Sequence, residues 1–114
     1  MRRGNYILVD GKPVLEPDLL RWARWYESAE RAVAKTVFVA KTVLPGYITV
    51  PDDITVSTVF LGLDHQFGNG PPLLWETMIF NGPRDGWCQR YSSLVEAVAG
   101  HDEAVRIALT KEDA

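Results

Sequence analysis

Two titratable side chains and one glycine-rich turn stand out in this chain as groups that could do chemistry. His65 lies in Asp64-His65-Gln66-Phe67-Gly68-Asn69-Gly70, a polar loop between two very apolar runs. Histidine titrates near neutrality, which suits proton transfer or contact with phosphate. Gly68 and Gly70 flank Asn69, and such a turn can aim several backbone N–H groups into one concavity as an anion nest. Their spacing matches neither the phosphate-binding P-loop nor the dinucleotide fingerprint. Pro71-Pro72 stiffens the exit from the loop. Glu76 follows inside an apolar run, where strand alternation puts it on one face with Leu74, Met78 and Phe80. A bare carboxylate on a buried face is costly, so Glu76 must be solvated, protonated or paired with Arg90, His65 or His101, or else that face lines an open cleft. Pairing about the loop centre puts Glu76 opposite Phe60.

Three more residues complete the candidate set. Arg90 and Tyr91 set a guanidinium beside a phenol, a combination that serves carboxylates, phosphates and base rings. An arginine here could equally pair with Asp85 or Glu96. His101 falls on the apolar stripe of the last helix directly after Gly100, as a core histidine or as a ligand contact. The ligand-binding set is thus His65, Phe67, Gly68, Gly70, Glu76, Arg90, Tyr91 and His101, with Phe67, Trp75 or Trp87 available to stack on a ring. No catalytic constellation is assigned, since there is no nucleophile elbow. Two separate histidines and one cysteine do not give a zinc spacing, so no metal or cofactor is expected.

The elements that must hold these residues follow from local patterning. Residues 6–9 read as a short strand entering an Asp-Gly turn over 10–13. Glu16-Pro17-Asp18 opens a helix that runs to about Ser28, with proline in the first turn and Leu19, Trp22, Ala23 and Tyr26 as its core stripe. Trp25 falls off that stripe and either anchors a partner, lines a pocket or covers a sheet edge. A long strand is expected over 31–44, then a small excursion with turns at 45–46 and 51–53 around a strand at 47–50. Residues 54–61 are β-branched almost throughout and read as a strand. Residues 73–80 return as its partner, 81–86 form a turn, and 87–91 form a last strand with Trp87, Gln89 and Tyr91 on one face and Cys88 and Arg90 on the other. Ser93 and Glu96 make a capping box for a final helix with Leu94, Ala97, Val98, His101, Val105, Ala108 and Leu109 inward, and 111–114 fray. The sum is an α+β fold, an antiparallel sheet of four to six strands with two helices packed on one face.

Whole-chain properties narrow the function classes. At 114 residues the chain reads as one domain, 1–114, able to bury a core without staples. A net charge of −3 disfavours duplex nucleic acid, whose phosphates call for a basic stripe. A single cysteine, Cys88, suits a reducing cytoplasm, and no apolar run is long enough for a signal peptide or a membrane span.

The pattern Val56-Ser57-Thr58-Val59-Phe60-Leu61-Gly62-Leu63-Asp64-His65, Phe67-Gly68, Gly70-Pro71-Pro72-Leu73-Leu74, Glu76-Thr77-Met78 and Phe80 resembles a small phage and prophage protein family without an assigned function. The similarity extends to Arg90-Tyr91-Ser92, Glu96-Ala97, Gly100-His101, Glu16-Pro17-Asp18 and Trp22, with a longer excursion at 45–53. The resemblance implies a phage origin and a place in the host cytoplasm. By analogy with small phage proteins that act on the host, the first functional expectation is a sponge that sequesters a nucleotide-type immune signal. The others are a small hydrolase or lyase with Glu76 and His65 as acid and base, and an interaction or homo-oligomeric accessory protein. The expected partner is a small phosphorylated or nucleotide-like ligand.

Overall fold

Asp10 and Gly11 both adopt positive φ, 52° and 79°, the combination of a two-residue type I′ turn, whose twist matches that of the strands it joins. They link β1 (Tyr6–Val9) to β2 (Lys12–Leu15) in register Tyr6 to Leu15 through Val9 to Lys12. The turn is therefore shorter than the 10–13 read from sequence. Lys12 and Pro13 are strand residues, proline being tolerated because this two-stranded sheet offers an edge. The computed structural model describes residues 4–39 and 53–110. The turns and strand expected over 45–52, and the strand's continuation past Val39, lie outside them.

Helix α1 (Leu19–Ser28) begins with Asp18 as its N-cap. The Asp18 carboxylate accepts from the N–H groups of Leu20 and Arg21, which have no partner within the helix. Pro17 thus lies just outside the helix rather than in its first turn. The stripe differs from expectation at one end, because Leu19 is 65 % exposed while Trp22, Ala23, Trp25 and Tyr26 are half-buried. Trp25 sets its ring edge-on against Phe60, at 5.9 Å between centroids, so it covers the end of the sheet.

The main sheet is an antiparallel meander of β3 (Ala32–Phe38), β4 (Ile54–Phe60), β5 (Trp75–Phe80) and β6 (Cys88–Tyr91) in that spatial order. A register shift between Ala32 and Ala34 leaves Val33 as a bulge residue on the edge strand. β4 alternates strictly, with Ile54, Val56, Thr58 and Phe60 buried and Thr55, Ser57 and Val59 half-exposed. Helix α2 (Leu94–Ile107) covers the buried face, capped by Ser93, whose hydroxyl accepts from the Glu96 N–H at 3.1 Å. Its inward residues are Ala97, His101, Ala104 and Ile107, followed by Ala108 and Leu109, and the small alanines let the helix lie close. Leu94 and Val98, expected inward, are 43 % and 48 % exposed. The whole is an α+β fold with both helices touching the same sheet face, α2 broadly and α1 through Trp25.

Two apolar clusters share that interface. One gathers Ile54, Val56, Ile79, Ala104, Ile107, Ala108 and Leu109, and the other Phe60, Leu74, Trp75, Tyr91 and Ala97, with Tyr6, Leu8, Trp25 and Val33 packed against it. Each fully buried large side chain, such as Ile54, Ile79 or Phe60, contributes about 1.5–3 kcal/mol. The opposite sheet face carries Lys35, Val37, Thr55, Ser57, Val59, Glu76, Met78, Phe80, Cys88 and Arg90, none of them buried.

Candidate ligand-binding site

The observed register decides what Glu76 is. It pairs with Val59, not Phe60, and on its other side with Arg90. This one-residue difference moves it from the core face to the open face. There Arg90 Nε donates to Glu76 Oε2 at 3.0 Å and the Cys88 thiol donates to the same oxygen at 3.3 Å. Burial and the adjacent carboxylate raise the Cys88 pKa, so the thiol is held protonated and is a poor nucleophile. Of the options open for Glu76, the structure shows a cation partner on an open face.

The loop carrying His65 is closed on itself. Leu61 N–H donates to Leu74 O at 2.7 Å and His65 N–H to Leu73 O at 3.1 Å, making a neck. Asp64 Oδ1 then accepts from the N–H groups of Gln66 and Leu73, an Asx-type arrangement that ties both ends of the loop to one carboxylate. Gln66 fills the interior: its Oε1 accepts from the Gly68 N–H at 2.9 Å and its Nε2 donates to Pro71 O at 3.2 Å. A Cβ on Gly70 would press on that carboxamide at 2.7 Å. The donor that Gly68 could offer to an anion is thus engaged by Gln66, while Phe67 at the tip is 76 % exposed.

Tyr91 and His101 are both buried under α2. His101 is 5 % exposed and contacts Thr36 Oγ1 through Nε2 at 3.0 Å and Thr58 Oγ1 through Nδ1 at 2.7 Å. Thr58 in turn bonds Thr77 across the strand pair. The Tyr91 hydroxyl is buried near Thr77 without a hydrogen bond, in space that exists because residue 100 is glycine: a Cβ there would overlap the phenol. Burial lowers the His101 pKa, an effect that Asp102 partly opposes, and burial raises that of Tyr91.

One concave space among the described residues lies elsewhere. A groove of about 280 Å³ opens between the β1–β2 hairpin and the second apolar cluster. It is lined by Leu8 and Gly11 of the hairpin, Ala32 and Val33 of β3, Trp75 of β5 and Leu94 at the start of α2. Its polar groups are Glu30 and Arg31, in the connection between α1 and β3. Arg31 is held from two sides. Its Nη1 donates to Phe60 O at 2.9 Å, and its guanidinium carbon lies 4.0 Å from the centre of the Tyr26 ring. Glu30 is likewise held, by the Ala32 N–H at 2.9 Å. Such a groove suits a ligand with a flat apolar body and a charged substituent at the mouth.

Sequence reasoning set its candidates in three places. His65, Phe67, Gly68 and Gly70 share the closed loop, Glu76 and Arg90 pair on the open face, and Tyr91 and His101 share the buried polar layer. None of the eight lines the groove. Glu30 and Arg31 went unremarked, although an acid and a base side by side at a helix-to-strand junction were visible in the sequence. Among the described residues no group of His, Cys, Asp and Glu side chains is placed to hold a metal ion, and no helix is long and apolar enough to cross a membrane. No family model, curated protein or solved structure matches the chain.

Proposed function

We propose that the chain is a non-catalytic binding module for a small planar anionic ligand of the nucleotide class, held in the groove between the hairpin and the sheet. The observation that carries this reading is an apolar groove lined by Trp75 and by Arg31, whose guanidinium is pinned by the Phe60 carbonyl and the Tyr26 ring. A cation already fixed by the Phe60 carbonyl and the Tyr26 ring loses little further freedom on meeting a phosphate. The volume, just below the ~300–1,000 Å³ usual for ligand pockets, suits one ring system with the rest of the molecule at the mouth. Glu30 beside it can accept from an exocyclic amine. A phage origin, implied by the sequence resemblance of residues 56–80, would make this a host-directed role, capture of a nucleotide immune signal in the host cytoplasm. The acid–base reading of Glu76 and His65 has weaker support, since Glu76 is engaged by Arg90 and Cys88 and no hydrogen bond joins it to His65 among the described residues.

Thermal scanning against cyclic mono- and dinucleotides and ADP-ribose-type compounds tests the proposal, because a ligand that binds only the folded state raises the melting temperature. At least one member is expected to stabilise the wild type and Glu76→Gln but not Arg31→Gln. No shift from any member at millimolar concentration sinks it.

A second reading rests on a different observation. Leu19 and Leu20 on α1, Phe67 on the loop and Val95 on α2 are each more than 60 % exposed. Exposed apolar side chains of this size suit contact with another protein or a second copy of the chain. Concentration-dependent mass from light scattering separates that reading from ligand capture.

A further inference from the structure

Two asparagines in the chain are followed by glycine, Asn69-Gly70 in the 62–73 loop and Asn81-Gly82 in the turn after β5. That pair of residues carries a chemistry of its own. Asparagine is a thermally labile side chain, and a following glycine has no Cβ to shield its backbone nitrogen from the carboxamide carbon of the residue before it. The fold treats the two pairs differently. Asn81 is tied down: its Nδ2 donates to Asp53 O at 2.8 Å, its N–H donates to Asp85 Oδ1 at 2.6 Å, and its φ is a left-handed 72°. The carboxamide must leave Asp53 before it can turn toward the Gly82 nitrogen. Asn69 is exposed and does not share the left-handed φ. Gln66 grips the loop on either side of it, at the Gly68 N–H and the Pro71 carbonyl, and Asn69 and Gly70 lie between the two clamps. Among the described residues neither the Asn69 carboxamide nor the Gly70 N–H has a hydrogen-bond partner.

We infer that Asn69-Gly70 is a site of spontaneous covalent modification, where the loop passes from the asparaginyl to aspartyl and isoaspartyl forms, and that the turn at Asn81 protects the same pair there. The Gly70 nitrogen gives up its proton to base and attacks Asn69 Cγ. The bond from Cγ to the side-chain nitrogen breaks, that nitrogen takes up a proton, and ammonia leaves behind a cyclic succinimide. Water then opens the ring. Attack at Cγ restores the ordinary backbone with an aspartate side chain, whereas attack at the main-chain carbonyl carries the chain through Cγ and adds a methylene to it. Water enters and ammonia leaves, so no oxidant or metal is needed. Either product puts a negative charge on the loop, and the isoaspartyl form also lengthens the span that Gln66 clamps.

Peptide mass spectrometry of the native protein held at mildly alkaline pH tests the inference, with the same chain in urea as the reference. In urea the two asparagines are expected to react at similar rates, since each precedes glycine. In the native protein conversion at Asn69 should run at least about tenfold faster than at Asn81, which reacts only when its turn opens. Similar native rates at the two sites, or a faster Asn81, overturn the assignment. Methylation by an isoaspartyl carboxyl methyltransferase gives an independent readout. Aged wild type is expected to be labelled well above aged Asn69→Gln, whose longer side chain closes the ring poorly. Equal labelling of the two proteins also overturns it.

Discussion

The loop at 62–73 and the groove beside β1 divide between them what a binding site needs. The loop has the composition of a site, with histidine, glycines, asparagine and an exposed aromatic, yet Asp64 and Gln66 take up the N–H groups of Gln66, Gly68 and Leu73. The groove has the shape of a site, yet its lining comes from β1, the hairpin turn, the α1–β3 junction, β3, β5 and α2. Function-like composition can therefore be the residue set of a well-made turn. A concavity is made by topology, and its residues need not look special one by one.

Four substitutions sharpen or break that contrast. The largest effect is expected from Asp64→Ala, which strips the acceptor from two backbone N–H groups. Urea denaturation should show a loss of about 1–3 kcal/mol, with nucleotide-induced stabilisation retained. Loss of binding instead would return the loop to the site. Gly62→Ala comes next. Gly62 has φ of 79° and lies against the rings of Trp22 and Tyr26, so a Cβ should cost about 1–2 kcal/mol and loosen the attachment of α1, seen as a lower melting temperature. Glu76→Gln breaks a pair whose arginine is well exposed. It should change stability by no more than about 1 kcal/mol and leave any ligand shift intact. Phe67→Ser, at an exposed loop tip, should be within about 0.5 kcal/mol of wild type. A large loss of ligand response in either of the last two variants would move the binding surface away from the groove.

The strands of the meander were readable because β-branched residues and turn signals coincide. The strand expected over 54–61 ends at Phe60, its return over 73–80 begins at Trp75, and Ser93 caps the last helix as expected, with the Glu96 carboxylate accepting from its hydroxyl. What failed did so for identifiable reasons. The pairing of Glu76 depended on where the long loop closes, and the Leu61 to Leu74 neck fixes it one residue away from the symmetric guess. The α2 stripe was misjudged at Leu94 and Val98 because the buried face is made of alanines, which carry little hydrophobic signal. Leu19 read as core because helical periodicity cannot tell whether a neighbour exists, and α1 is only partly covered. The groove was invisible for a deeper reason: no pattern within one element reports that Leu8, Arg31, Trp75 and Leu94 converge.

The meander has a further consequence for how the chain reaches its fold. From β4 to β6 every paired strand is the next one along the chain, and α2 folds straight back over β4 and β5. Low sequence separation of contacts favours fast formation. The β1–β2–α1 segment reaches that half through distant ties, the Asn5–Leu63 bridge and the Trp22 indole N–H on the carbonyls of Tyr6 and Gly62. Residues 54–109 are thus the part expected to assemble first, with the N-terminal hairpin and helix docking last. Since that docking step also brings Leu8 and Gly11 to the groove, any binding there would arrive at the end of folding and be the first property lost when the chain begins to open.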